Sequence, residues 1–193
     1  GGGGCSTVAR MPYALGSNLG ESVQLIMLNT DAQALDHASQ TAATAISEAA
    51  ANAPPSEAGA PPAGQMPPIT TIPIGENFLY GQGAGGHANW GRDAAMAAAD
   101  EILEQIDGAD MVFVTAGMGG GTGSGAAPVV AELAKAAGCL TVAVVSSPFG
   151  FEGGTRSAVA DAGIAELREH VDVLVVVQNE RLLSLLPPDL PIQ

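Results

Sequence analysis

The seven residues Gly119-Gly120-Gly121-Thr122-Gly123-Ser124-Gly125 stand between an apolar run and an alanine-rich stretch of helical character. Glycines let a backbone come close to a ligand, and the first turn of a helix directs unpaired N–H groups and the positive end of its dipole outward. Together these features can cradle a phosphate. No Gly-Lys-Ser/Thr ending follows, so the phosphate charge would be met by backbone amides, by the hydroxyls of Thr122 and Ser124 and by a metal ion rather than by a lysine. The same glycines could also serve only as a tight turn that lets a helix pack closely on a strand.

A second run, Gly1-Gly2-Gly3-Gly4, precedes a helix expected to start near Ser6 and could form another phosphate loop. Asp31 follows the next apolar run. An acid there can accept from ribose hydroxyls, so this region also mimics a dinucleotide-binding fingerprint, although its spacing is not Gly-x-Gly-x-x-Gly. A nicotinamide-dependent, Rossmann-type NAD(P) enzyme is therefore one alternative. Glu152 and Arg156 lie four residues apart at the start of a predicted helix, where both can face a ribose or a phosphate, or pair with each other on the surface. Asn179, just past an apolar run, has donors and an acceptor suited to a base edge, and could equally cap the turn that follows. His37, His87 and His170 lack ligand spacing, and Cys5 and Cys139 form no CxxC pair, so no protein-built metal site is expected.

Each of these loops needs a strand to lead into it. The runs "SVQLIMLNTD", "ADMVFVTAG", "CLTVAVVSS" and "VDVLVVVQ" read as buried strands. Between them, "NWGRDAAMAAADEILEQI", the stretch from about Ser124 to the stop at Gly138, and "TRSAVADAGIAELREH" read as helices. Apolar strands alternating with helices predict an α/β fold, a three-layer Rossmann-like, mostly parallel sheet covered on both faces. The polar and glycine-rich loops then converge on the carboxyl edge of that sheet. From about His37 to Pro68 the composition turns to Ala, Pro, Ser and Gly, which predicts a flexible surface insertion.

A length of 193 residues suits one domain. The net charge of −14, from 6 Lys+Arg against 20 Asp+Glu, would repel a nucleic-acid backbone, and no basic cluster offsets it. Val171–Val177 is an apolar run broken by Asp172 and too short to span a bilayer. Because the sequence opens on four glycines without a methionine or a leading strand, a fragment truncated at its N-terminus is expected, in which a transit peptide would be invisible.

The order of these motifs resembles that of the FtsZ family. "GGGGCSTVARM" is similar to the family's first nucleotide loop, "NTDAQAL" to the segment after its second strand, and "GQGAGG" to its third loop. "VFVTAGMGGGTGSGAAPVVAELAK" resembles the tubulin/FtsZ signature, and "SPFGFEGGTRS" and "QNERLL" follow in the family's order. The resemblance implies a partial N-terminal GTP-binding domain over 1–193. Its first strand, central helix and C-terminal domain would lie outside the chain.

Within that reading Gly2, Gly3, Gly4, Cys5 and Ser6 would line the first loop, and Gly83, Ala84 and Gly85 would border the phosphates. Gly120, Gly121, Thr122, Gly123 and Ser124 would hold the phosphates, Glu152 and Arg156 would approach the ribose and phosphate region and Asn179 the guanine, with Asp31 counted among the nucleotide-binding residues. The resemblance implies GTP or GDP with Mg2+, head-to-tail self-association into protofilaments and membrane tethers through regions outside the chain. GTPase activity would belong to the polymer of full-length chains, completed by acidic residues of the next subunit, so no residue here is assigned as catalytic. Ser6, Thr7 and Ala9 depart from the family's usual asparagine, alanine and asparagine, and Ser146-Ser147 from a common Thr and basic residue. Those departures keep a non-hydrolysing structural or regulatory homologue as an alternative. The ending "NERLLSLLPPDLPIQ" points to a plastid stroma, with a bacterial cytoplasm as the alternative.

Overall fold

In β1 (Leu25–Asn29), Leu25, Met27 and Asn29 are buried while Ile26 and Leu28 are half-buried, an alternation that presents apolar side chains to both faces. The computed structural model describes residues 1–15, 22–51 and 69–181. Among them β1 pairs in parallel with β2 (Ile69–Pro73). A second ladder runs β3 (Met111–Gly117), β4 (Leu140–Ser147), β5 (Val173–Gln178), also parallel throughout. The helices are α1 (Gly2–Leu15), α2 (Ala32–Ala51), the short α3 (Glu76–Leu79), α4 (Ala88–Ala97), α5 (Ala99–Ile106), α6 (Gly121–Ala136) and α7 (Gly154–Glu169), and a 3-10 turn covers Gly150–Glu152. Parallel strands joined by helical crossovers are the expected α/β architecture.

The β1–β2 ladder is covered on both faces. Cys5, Val8 and Ala9 of α1 and Leu35, Ala38 and Ala42 of α2 close over Leu25 and Met27. On the other side Ile72 and Ile74 join Ala94 and Ala95 of α4, Ile102 of α5, and Ala126 and Val129 of α6, with Ile26 and Leu28 packed against them. α1 also reaches the upper end of β3, so it touches both ladders.

The second ladder departs from the expected two-sided cover. Val114, Ala116, Ala143 and Val145 pack on Ala127 and Ala131 of α6 and on Ala160 and Leu167 of α7. Right-handed crossovers place both helices on that one side. The opposite face leaves Met111, Phe113, Leu140, Val144, Val173 and Val175 exposed, Phe113 at 66%. A patch of this kind is unusual on a soluble surface. The folded chain is therefore expected to enhance anilinonaphthalene sulfonate fluorescence, and Phe113→Ser with Val144→Ser to remove most of that signal while far-UV circular dichroism stays unchanged. Equal dye binding by the double variant would place the apolar surface elsewhere.

Three boundaries differ from the sequence expectations. Residues 37–51 are not insertion but the continuation of α2, with Ala38, Ala42 and Ala45 buried at helical spacing; 52–68 lie outside the described residues. The helix expected across Asn89–Ile106 breaks at Ala98, whose N–H turns to Ala95 O and Met96 O, so that α4 and α5 can follow different parts of the core. Both glycine-rich helices begin earlier than expected, α1 at Gly2 instead of near Ser6 and α6 at Gly121 instead of near Ser124, so the glycines form first turns rather than preceding loops.

Candidate functional site

Two helices start side by side at the carboxyl edge of the strands. Gly120, extended at φ −96° and ψ 170°, hands the chain to α6, and Ser124 N–H donates to its carbonyl at 3.3 Å. The turn before it is locked: Gly119 sits at φ 94°, where a side chain would be strained, and its N–H donates to Ser124 Oγ at 2.8 Å. Next to it α1 begins, with Cys5 N–H donating to Gly1 O at 2.9 Å and the Gly1 amine to Leu28 O at 2.7 Å. Gly4 and Gly123 let the pieces touch backbone to backbone, since an added Cβ at Gly4 would overlap Thr115 O and one at Gly123 would overlap Gly117 O. The result is two helix N-termini opening on one space, each with unpaired N–H groups and a positive dipole end.

That space is a cavity of ≈ 350 Å³. Gly2 and Gly3 form one wall and Gly120–Gly123 the floor. Ser146, Ser147 and Pro148 arrive from the end of β4, Glu152 and Arg156 from the following turn and α7, and Asn179 from the end of β5. Its size lies within the ordinary range for small-molecule sites, roughly 300–1,000 Å³. A second cavity of ≈ 270 Å³ adjoins it, sharing Gly2, Gly121 and Thr122 and adding Asn29, Asp31 and Gly83–Gly86. Arg156 is the one cationic side chain on either set of walls among the described residues.

The side chains are positioned by local bonds. Glu152 accepts from Phe149 N–H at 2.8 Å through Oε1 and from Arg156 Nη1 at 2.6 Å through Oε2, so the i,i+4 pair is formed and also shapes the turn. Thr30 and Thr122 share a hydroxyl–hydroxyl hydrogen bond of 2.6 Å, tying the loop after β1 to the start of α6. Asp31 Oδ1 accepts Ala34 N–H at 2.9 Å and opens α2.

The structure brings Gly2, Gly3, Gly120, Gly121, Thr122, Gly123, Glu152, Arg156 and Asn179 to the larger cavity and Asp31, Gly83, Ala84 and Gly85 to the smaller. Four other predicted residues fall outside both linings. Gly4 is buried against β3, Cys5 is buried with Sγ on Leu28 O at 3.4 Å, Ser6 is exposed on α1, and Ser124 spends its hydroxyl on the Gly119 turn. Asn29 and Gln82 also line the smaller cavity, and Thr30 bonds Thr122 at its edge. Their signal was present only as polar residues flanking already chosen ones, in "NTDAQAL" and "GQGAGG".

Chemically, the walls offer backbone amides, hydroxyls and the Arg156 guanidinium, groups that can take up an anion. The site holds no cluster of three or more His, Cys, Asp or Glu able to hold a metal among the described residues. No described helix is long and apolar enough to cross a membrane.

The family model described as "Tubulin/FtsZ family, GTPase domain" matches residues 1–187. The chain is 44% identical over 187 residues to cell division protein FtsZ 1 of Archaeoglobus fulgidus, covering 97% of this chain and 42% of that protein. It is 42% identical over 189 residues to cell division protein FtsZ of Azotobacter vinelandii, covering 98% and 40%. The chain thus spans about two fifths of the length of the curated relatives it matches. Among solved structures, an empty FtsZ dimer from M. jannaschii superposes with a TM-score of 0.76 at 35% identity over 100% of this chain and 46% of the other. CetZ2 from Haloferax volcanii, solved as a GTPgS-bound protofilament, shares the fold at a TM-score of 0.73 and 22% identity, over 99% and 49%.

Proposed function

This chain belongs to the tubulin/FtsZ family, and on that premise we propose that it holds GTP or GDP as the nucleotide-binding part of a filament-forming division protein. The observation that carries the proposal is the pair of helix N-termini at Gly2 and Gly121 opening on one cavity that Asn179, Arg156 and Glu152 close from the far strands. Backbone amides of Gly121, Thr122 and Gly123 would take phosphate oxygens, with the Thr122 hydroxyl held in place by Thr30. Arg156, kept in position by Glu152, would balance phosphate charge beside the ribose, and Asn179 would meet the base edge.

Mg2+ would supply the charge neutralisation that a lysine gives in other phosphate loops. The walls offer it Asp31 and hydroxyls but no full protein cage, in keeping with an ion held mainly by phosphate and water. Turnover would need acids contributed by an adjoining copy in a head-to-tail protofilament. A homologue that assembles without hydrolysis is the second reading, suggested by the departures at Ser6, Thr7 and Ala9, which stand on α1 outside the linings of both cavities. The nicotinamide-enzyme reading has no support among the relatives. Membrane tethering would fall to other regions of such a protein. The compartment would be a bacterial-type cytoplasm or a plastid stroma.

Titration calorimetry with GTP, ATP and NAD, each with Mg2+, tests this on the 193-residue chain. GTP is expected to bind more tightly than ATP by about tenfold or more, the difference that one or two hydrogen bonds to a base edge supply. Equal affinities, or a preference for NAD, would defeat the guanine assignment.

A further inference from the structure

β4 and β5 stay paired to their last residues, Ser147 against Gln178, and the Ser147 hydroxyl donates to Val177 O at 3.4 Å. Beyond that point the two chains separate. One passes through Pro148 and Phe149 into the 3-10 turn Gly150–Glu152 and α7, and the other runs on as Asn179 and Glu180. A side chain rejoins them: Glu180 Oε1 accepts the Gly150 N–H at 3.0 Å.

The turn that donates this bond is one unit. Glu152 N–H donates to Phe149 O at 3.0 Å, Glu152 Oε1 accepts the Phe149 N–H at 2.8 Å, and Glu152 Oε2 holds Arg156 Nη1 at 2.6 Å. Glu180 is exposed and lines neither cavity, whereas Asn179, one residue before it, lines the larger one together with Glu152 and Arg156. We propose that Glu180 is a positioning residue for base recognition. By holding the turn that carries Glu152 against the segment that carries Asn179, it fixes the separation between the groups that meet the ribose and the group that meets the base. The inference rests on the nucleotide reading above.

Charge alone predicts the opposite sign. A carboxylate beside a site for a polyanion repels it, so removing Glu180 would tighten binding if its charge acted directly. A hydrogen bond that joins two loops in the free chain instead orders them before the ligand arrives, and so lowers the ordering cost that binding must meet. Gly150 gives a second handle on the same contact. A Cβ there would overlap Glu180 Oε1, the movable end of a side chain, and Gly150 is not among the glycines with positive φ. Gly150→Ala therefore displaces the carboxylate without straining the backbone, and the exposed Gly150 N–H returns to water.

The test is calorimetry on the 193-residue chain with GTP and with ATP, each with Mg2+, alongside thermal melts of every variant. Glu180→Ala is expected to weaken GTP binding about 3- to 10-fold, the range that one hydrogen bond supplies. ATP, which gains nothing from a guanine contact at Asn179, should stay within about twofold, and the melting temperature within about 3 °C. Glu180→Gln keeps an acceptor and should bind as wild type, while Gly150→Ala should repeat the loss with the carboxylate still present. In an Asn179→Ala background Glu180→Ala should cost nothing further, because its effect passes through Asn179. GTP binding by Glu180→Ala or Gly150→Ala that is unchanged or tighter overturns the proposal. So does a Glu180→Gln variant as weak as Glu180→Ala, which would assign the effect to charge, or full additivity with Asn179→Ala. Equal losses for GTP and ATP with a lowered melting temperature would make Glu180 a structural tie and overturn it as well. A folded wild-type chain that binds no GTP would instead defeat the nucleotide reading and this inference with it, whereas intact GTP preference in both wild type and Glu180→Ala strikes this inference alone.

Discussion

Replacing Gly125 by alanine is expected to abolish stable folding. α6 crosses α4 at this residue, and a Cβ built there would overlap Ala88 O, with Arg92 N 2.7 Å and Ala88 C 2.9 Å away. Each of these is helix backbone, which cannot swing aside as a side-chain end can. The same crossing is tight from the other side, where a Cβ at Gly91 would overlap Gly121 O and lie 2.9 Å from Thr122 Cα. Relief would therefore require the helices to separate along a buried seam that includes Ala94, Ala95 and Ala126.

A cost above about 3 kcal/mol, beyond the usual range for an overpacked core, is a large share of the about 5–15 kcal/mol that holds a typical domain. At about 2–4 °C per kcal/mol for a chain of this size, the melting temperature would fall by about 6–12 °C or more if the variant folds at all. Gly154→Ala in α7 is the control, because a Cβ there meets nothing within 4 Å. If Gly125→Ala melted with the control, the close helix crossing would be refuted. The crossing also bears on the site, for α4 follows the Gly83–Gly86 loop and α6 begins with the Gly121–Gly123 floor, so the two cavities are held together through this contact.

The parts of this arrangement legible in the sequence were those written in local chemistry. The glycine run after a strand announced a helix N-terminus, and the four-residue spacing of Glu152 and Arg156 announced a pair that forms. What escaped reading depends on residues distant in the chain. The Thr30–Thr122 bond joins positions 92 apart, and nothing in either local sequence marks it.

The break at Ala98 has no glycine or proline to announce it; it follows from how Ala95 and Ile102 must both reach the core. Residues 37–51 resembled an insertion because their apolar stripe is made of alanines, too small to raise the periodic signal above a polar background rich in Ser, Thr and Gln. Composition does not mark which glycines matter for their lack of volume, at Gly91, Gly123 and Gly125, because the backbones that meet there belong to different elements of the chain.

Gly120→Asp should move stability and ligand binding in opposite directions. Gly120 is the N-cap of α6 with no side-chain cap, its φ of −96° is open to any residue, and a Cβ there meets nothing within 4 Å. An aspartate can accept from the amides of the first turn and complement the helix dipole, which together are worth a few tenths to about 1 kcal/mol over glycine. The free chain should thus be as stable as wild type or slightly more so.

The amides that the new carboxylate would take are, however, the ones assigned here to phosphate, and its charge would stand inside the cavity that Gly120 lines. At about 4 Å and an effective dielectric near 20, repulsion from one phosphate charge approaches about 4 kcal/mol, so nucleotide affinity should fall by at least about 100-fold even after partial relaxation. Gly120→Asn, which can cap without the charge, should fall much less. Thermal melts of the free chain together with calorimetric titration decide the matter. An aspartate variant that binds nucleotide as wild type would remove the floor of α6 from the site, whereas one that loses stability and binding together would show that Gly120 is needed for the turn and not for the anion.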